Sequence, residues 1–519
     1  MKRILTSILL AALAFEAGAQ NFQDAVDFSG NDYLGSARSV GMGNAMTAVG
    51  GDLGSLTFNP AGSAVAGYSQ FTITPGLSIS SVFGQGTLWN GEPFGFEDAV
   101  KTRSPRMNLP NFGAVVVYDT RNRSGLKRVS FGLVGNMTHD YSNLLRASGT
   151  NNYSTLAGAL ATWANGYTND ELFNGETVDG NGIDWETLAA WRGGVFNPVD
   201  GKADQYIGLT ERLRDDGKYQ LADEIGQSYQ LKRRGNKYDL LMNLGLDFSD
   251  RFYLGANIGI TTLSYEYDQI RAEEALAGRE YPSGFQYARM RSVYKDEGSG
   301  VYAKVGFIAR PTDALRIGAA IQTPTLFEIH EDYGQEGSSY ASGDEKPMKG
   351  SVSEEDWIYN LRSPFRANVG IAYTFGKVAL LSADYEYFDF SKVRYSRFFE
   401  DVDTDFSRFN DEISEYGQPV HAFRVGGELK ASPELAIRVG YNYTTSPDID
   451  VKASRQAVSF GLGYSSPGSF FADLAVRFQY LPDELIVPYC YPDVEKIDTP
   501  QICFQSSLCN TLLTFGWRF

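Results

Sequence analysis

Side chains able to do chemistry are few in this chain, and their spacing is poor for it. Histidine occurs only at His139, His330 and His421. None lies in an HExxH, GxSxG or paired-histidine spacing of the kind that builds a zinc protease or a serine hydrolase. The three cysteines, Cys490, Cys503 and Cys509, crowd toward the C-terminal end. In an exported protein they allow at most one internal disulfide. Cys490 with Cys503 is the expected pair, leaving Cys509 over. Three thiols with no histidine nearby make a poor zinc site, so no metal, cofactor or catalytic group is expected. What remains is charge embedded in alternating apolar stretches. Arg316, Arg366, Arg424 and Arg438 lie on the polar side of such stretches, where a guanidinium could hold a ligand carboxylate. The same pattern puts Lys304, Arg310, Asp384, Glu386, Glu428, Asp473 and Arg477 on that side. An ion-pair network between a wall and whatever fills it therefore carries more weight than a ligand site.

The elements that must position these residues are strands. In Phe470 to Leu481 one face carries Phe470, Ala472, Leu474, Val476, Phe478 and Tyr480, while the other carries Asp473, Arg477 and Gln479. Leu435 to Thr444 and Phe365 to Phe375 repeat the pattern, and a period of two puts each set on one side of a strand. The polar faces bear full charges and aromatic residues gather at strand ends. The apolar face is therefore assigned to lipid and the polar face to a lumen. Fourteen such segments are expected: Tyr68–Val82, Asn108–Asp119, Arg128–Tyr141, Asn236–Phe248, Phe252–Ile270, Val293–Arg310, Leu315–His330, Trp357–Phe375, Val378–Tyr395, Gln418–Ala431, Leu435–Thr445, Arg455–Ser465, Phe470–Leu481 and Thr511–Phe519. The number is even, and short and long connections alternate, as in single-chain membrane barrels. The fold class is thus all-β, a transmembrane antiparallel barrel. Aromatic content of 13%, with 31 Tyr, 33 Phe and 55 Gly, and a mean hydropathy of −0.27 fit a wall that is apolar on one face.

Residues 1–19 read as a secretory signal peptide: Met1-Lys2-Arg3, an apolar run from Ile4 to Phe15, then Ala17-Gly18-Ala19. No later stretch reaches the roughly 18 apolar residues of a spanning helix. The expected destination is the outer membrane of a Gram-negative bacterium. The net charge of −17 argues against a nucleic-acid partner, which needs a basic face, and places the acids in solvated outer loops. The expected partners are outer-membrane lipid and a hydrophobic ligand, and the chain is expected to be a monomer. Leu513, Phe515, Trp517 and Phe519 form an aromatic terminal face resembling the signal read by the barrel assembly machinery.

Residues 20–66 are expected to form a hatch, or plug, inside a barrel of residues 67–519. The stretch Gly35 to Gly62, GSARSVGMGNAMTAVGGDLGSLTFNPAG, is rich in small residues that let backbone approach backbone. With its Asn59-Pro60-Ala61 triplet it resembles the N-terminal hatch of the outer-membrane long-chain fatty acid transporter family, which is FadL-like and includes aromatic-hydrocarbon channels. The close match covers the hatch, while the rest resembles the family in architecture. The resemblance implies a 14-stranded barrel passing hydrophobic molecules by passive uptake, with Asn59, Pro60 and Ala61 placing the hatch or its gate. It also implies a sideways exit through the wall, for which Gly132 and Gly135 in the third strand are candidates. Residues 142–235 form an unusually large, partly helical outer loop. Leu156, Leu160, Trp163 and Tyr167 make one helical stripe, and Leu221, Ile225 and Tyr229 another. Asp184 can cap a helix carrying Trp185, Leu188 and Trp191 and ended by Gly193-Gly194. The rival readings are a structural or adhesion barrel whose hatch never moves, and a channel for polar solutes.

Overall fold

Alternation in the chain becomes a closed wall. The structure, a computed structural model, describes residues 22–89, 92–174, 182–213, 219–397, 405–492 and 497–519. The expected leader lies outside the described residues. Fourteen antiparallel strands close on themselves. They are β1 (Gln70–Gly86), β2 (Val100–Asp119), β3 (Leu126–Asp140, continued by Asn143–Asn151), β4 (Ile225–Phe248), β5 (Phe252–Ala275) and β6 (Phe285–Ala309). There follow β7 (Leu315–Gln322, continued by Leu326–Ala341), β8 (Met348–Arg362 and Arg366–Phe375) and β9 (Ala379–Asp389, then Arg394–Arg397). The last five are β10 (Pro419–Lys430), β11 (Leu435–Thr444), β12 (Arg455–Ser465), β13 (Phe470–Tyr480) and β14 (Ile502–Arg518). Closure is made by β1 against β14, in register from Gln70↔Arg518 to Gly86↔Ile502, so the wall has no free edge there.

The period-two assignment of faces holds. Phe71, Val116, Leu244, Ile258, Val305, Ile321, Val369, Val439 and Phe460 are exposed on the outside, while Thr72, Asn111, Asn243, Asn257, Lys304, Arg366 and Glu386 are buried in the lumen. An apolar exterior around a polar interior is stable only in lipid. Several strands run further outward than expected. β4 begins at Ile225 rather than Asn236, β6 at Phe285 rather than Val293, and β14 at Ile502 rather than Thr511. Above the lipid the apolar residues, Ile225, Phe285 and Ile502 among them, turn to the buried inner face, so the lipid-facing alternation ends although the ladder continues.

One expected helix is a strand. Ile225 and Tyr229 belong to β4, paired with Asn143–Asn151 on one side and with β5 on the other. Their spacing of four satisfies both a period of 3.6 and a period of two, and Gln227 and Leu231, buried on the same face, belong to the second. The other two helical stripes are helices. They are α4 (Leu156–Ala164) and α5 (Trp185–Arg192), the latter capped by Asp184, which accepts from Thr187 N. They bury against barrel residues such as Phe285, Met290 and Val352. The loop is therefore a packed cap rather than an open greasy surface. Glu273 of β5 accepts from Leu156 N at 2.6 Å and Ala157 N at 3.2 Å, fastening the start of α4 to the wall.

Cys503 and Cys509 are thiols, so the expected Cys490–Cys503 bridge is not formed. Cys503 and Cys509 both sit on β14, six residues and about 20 Å apart along an extended strand, too far for any bridge between them.

Candidate functional site

The site is the hatch and the wall it touches. From the N-terminal side it comprises α1 (Phe22–Ser29), an extended piece through Leu34, α2 (Ala37–Gly41), a 3-10 turn (Leu53–Thr57) and α3 (Gly62–Val65). Its middle is a short-turned backbone, and almost every residue from Tyr33 to Ala64 is buried.

Asn59 is fully buried. Its Nδ2 donates to Thr47 O at 2.8 Å and to Phe307 O of β6 at 2.9 Å, and its Oδ1 accepts from Ala61 N at 3.1 Å. One side chain thus ties two parts of the hatch to the wall. Pro60 O accepts from Asn243 Nδ2 of β4 at 2.9 Å, and Asn257 Nδ2 of β5 donates to Leu56 O. The triplet can lie this close because the facing wall has no side chains. A Cβ at Gly255 would fall on the Pro60–Ala61 backbone, and one at Gly306 on the Asn59 amide. Gly245, Gly255 and Gly306 are directly paired across β4, β5 and β6. Gly318–Gly370 and Gly426–Gly440 continue the row around the barrel, beside Thr47, Met42 and Gly43. Sequence reading found the small residues of the hatch and missed this matching row in the wall, because a glycine in a strand announces nothing about its neighbours.

The four arginines considered as carboxylate holders are already engaged. Arg316 Nη1 donates to Val49 O of the hatch at 2.8 Å. Arg366 and Arg424 share the buried Glu386, which also accepts from Tyr33. The Arg424 guanidinium lies 5.0 Å from the Phe58 ring centroid. Arg438 bridges Glu428 at 2.7 Å and Asp473 at 2.6 Å, and Glu428 takes Arg38 of α2 at 3.0 Å. Lys237 and Arg366 reach the carbonyls of Phe28, Ser29 and Gly30 at the end of α1, where the helix dipole favours cations. On the hatch, burial works to raise the Asp32 carboxyl, but Arg477, with Arg455 behind it, prevails and holds it down at about 2. A cavity of about 10 Å³ lies between Ser29, Lys237, Tyr302 and Arg366, room for about one water. The histidines form no catalytic set: His330 pairs with Asp356, and His421 with Tyr385.

The wall is interrupted between β2 and β3. Their ladder runs from Asp119↔Arg128 to Asn111↔Asn136 and stops. Above it, β2 pairs only with β1, and β3 only with β4. Thr138 is the extra residue of a bulge against Lys237/Tyr238, and bulges end or redirect pairing. The free edge of β3 is taken by the hatch: Asp32 N donates to Thr138 O at 2.7 Å and Leu34 N to Met137 O at 3.0 Å. Side chains lace the seam. Arg106 of β2 pairs with Asp140 of β3 at 3.3 Å, Asn108 reaches Asp140 at 3.4 Å, and Tyr238 donates to Leu109 O at 3.0 Å. Gly132 and Gly135 are in the right strand but below the seam. Gly132 pairs with Val115 and Asn243, and Gly135 with Phe112 and Leu240. The Phe112 ring covers Gly135, so the ladder is unbroken at both glycines and the seam lies above them. The signal that could have found it is Pro105 and Pro110 in β2, since proline is tolerated where a strand has an unpaired edge or a bulge.

A lipid-facing barrel of fourteen strands, filled from its N-terminal side by a hatch that also occupies a gap in the wall, defines the class as a plugged outer-membrane barrel. Among solved structures, the chain is similar to a Pseudomonas aeruginosa FadL homologue, with a TM-score of 0.52 at 14% identity over 94% of this chain and 99% of that one. It is also similar to the Pseudomonas putida toluene transporter TodX (0.48, 12%, 94% and 99%) and to the CymD monoaromatic hydrocarbon channel (0.46, 10%, 94% and 98%). The fold is therefore that of the FadL-like outer-membrane barrels. No protein-family model and no curated protein matches the sequence.

Proposed function

We propose that the protein is an outer-membrane channel for passive uptake of hydrophobic molecules, long-chain fatty acids among them, and that this is its closed state. The observation that carries the reading is the seam. A structural barrel gains nothing from leaving β2 and β3 unpaired above Asn111↔Asn136 and stopping the gap with hatch residues. A route for apolar molecules needs a sideways opening, because the polar lumen is a poor path for them. A moving hatch is required, since ion pairs and hatch backbone fill the lumen at this level. That same packing favours the rival, a structural barrel with a fixed hatch. Transfer of dansyl-undecanoate into vesicles containing the reconstituted protein separates the two. The channel reading expects transfer faster than into protein-free vesicles, abolished by a disulfide locking the hatch to β3. Transfer no faster than into protein-free vesicles refutes it.

A further inference from the structure

Arg106 is held more loosely than the arginines at the centre of the lumen network. The side chains of Arg366, Arg424, Arg438 and Arg477 are no more than 7% exposed, and each ion pair is backed by a second buried contact. The Arg106 side chain is 32% exposed, and its one ion pair among the described residues, to Asp140, is 3.3 Å long. It lies at the seam, where no ladder joins β2 to β3. Its neighbours along β2, Met107 and Leu109, are exposed on the lipid side, Met107 at 80%. A loosely held guanidinium thus sits directly behind bare apolar surface at the break in the wall. Asp140 is differently placed. Its side chain is 6% exposed and also accepts from Ser142 N at 3.1 Å and from Asn108, so it keeps partners when Arg106 leaves.

We propose that Arg106 reads the headgroup of a carboxylate-bearing amphiphile at the seam, and that Asp140 occupies the place of that carboxylate in the closed state. The proposal rests on the uptake reading and names its substrate class. An incoming carboxylate exchanges with Asp140 for the guanidinium, a charge-assisted bond for a charge-assisted bond, and the exchange removes the Arg106–Asp140 ion pair from the seam, leaving the longer Asn108–Asp140 contact at 3.4 Å between β2 and β3. The tail then lies against Met107 and Leu109. A neutral molecule of the same length brings nothing to exchange and meets the seam closed. Arg106 is therefore a specificity-determining residue and Asp140 a latch.

The test uses the full-length protein in vesicles at pH 8, with dansyl-undecanoate and its methyl ester as probes and transfer into protein-free vesicles subtracted. Wild type is expected to move the acid about tenfold faster than the ester, about one decade for one charged contact. Arg106→Gln should bring the ratio close to one, and Arg106→Lys should keep part of the preference. Asp140→Asn should speed the ester severalfold, because the latch is gone. An acid-to-ester ratio unchanged in Arg106→Gln overturns the headgroup role and leaves uptake standing. Wild-type transfer of neither probe sinks the uptake reading and this proposal with it. Should Arg106→Gln fail to give a heat-modifiable barrel, Asp140→Asn decides, and an unchanged ester rate overturns the latch.

Discussion

Replacing Asn59 by alanine should loosen the hatch without opening the barrel. The side chain makes three hydrogen bonds, to Thr47 O, Phe307 O and Ala61 N, in a place with no solvent access. Each such bond is worth about 1 kcal/mol net, and two carbonyls lose a donor in a buried site. A loss of about 3 kcal/mol follows, or about 100-fold in the ratio of docked to undocked hatch at about 1.4 kcal/mol per decade. The wall does not depend on this residue, since the β5–β6 and β6–β7 ladders continue on either side of Phe307. Hydrogen exchange followed by mass spectrometry should show peptides covering 50–66 exchanging about 100-fold faster. Unheated protein should still run ahead of boiled protein in a denaturing gel. Adding Pro60→Ala, which frees the backbone before Ala61, should increase the effect and alter hydrophobic transfer. Unchanged exchange over 50–66 in an assembled Asn59→Ala barrel would refute the anchoring role, and normal transfer by the double variant would leave the triplet a turn.

Gly255→Leu should act on the same contact from the wall side. Its side chain falls on Pro60 and Ala61 and should cost about 1–3 kcal/mol of hatch docking, read as protease cleavage within residues 50–66. Glu386→Gln strips the shared carboxylate from Arg366 and Arg424 and should destabilise the protein by about 3–5 kcal/mol, seen as a lower temperature of the gel-mobility shift. In the cap, burial, with Glu186 beside it, pushes the Asp184 carboxyl up to about 7. The folded value exceeds the ordinary one of 3.8, so its contribution to stability is full below about pH 4 and is lost as pH rises toward 7. Amides of Trp185–Arg192 should therefore be better protected at pH 5 than at pH 8 after correction for intrinsic rates, and equal protection would contradict the raised Asp184 carboxyl. Deleting Gln20 to Ala61 should open a leak to small polar solutes, measured by vesicle swelling, because the lumen loses its filling.

The strands in lipid were legible from the chain because lipid imposes one rule at every position. Alternate residues must be apolar, and no backbone group can be left without a partner. That rule counts the strands, assigns their faces and places Lys304, Arg366, Glu386 and Asp473 in the lumen before any fold is built. The small-residue run with its Asn59-Pro60-Ala61 triplet was legible too, since close approach needs small side chains on the hatch itself. Above the lipid the rule lapses, so Ile225 and Tyr229 could be read as a helix and β14 as half its length. What tertiary structure alone decided is pairing. Four arginines that could each hold a ligand were bound instead to Glu386, Glu428, Asp473 and a hatch carbonyl, since a buried charge takes the nearest opposite partner the fold brings to it. The row of wall glycines acquired meaning only when strands far apart in sequence were aligned at the height of the hatch. The seam was decided in the same way. Gly132 and Gly135 leave the ladder intact, whereas it stops near the Thr138 bulge and the prolines of β2, because a break in pairing is a property of two strands in register and one strand does not encode it.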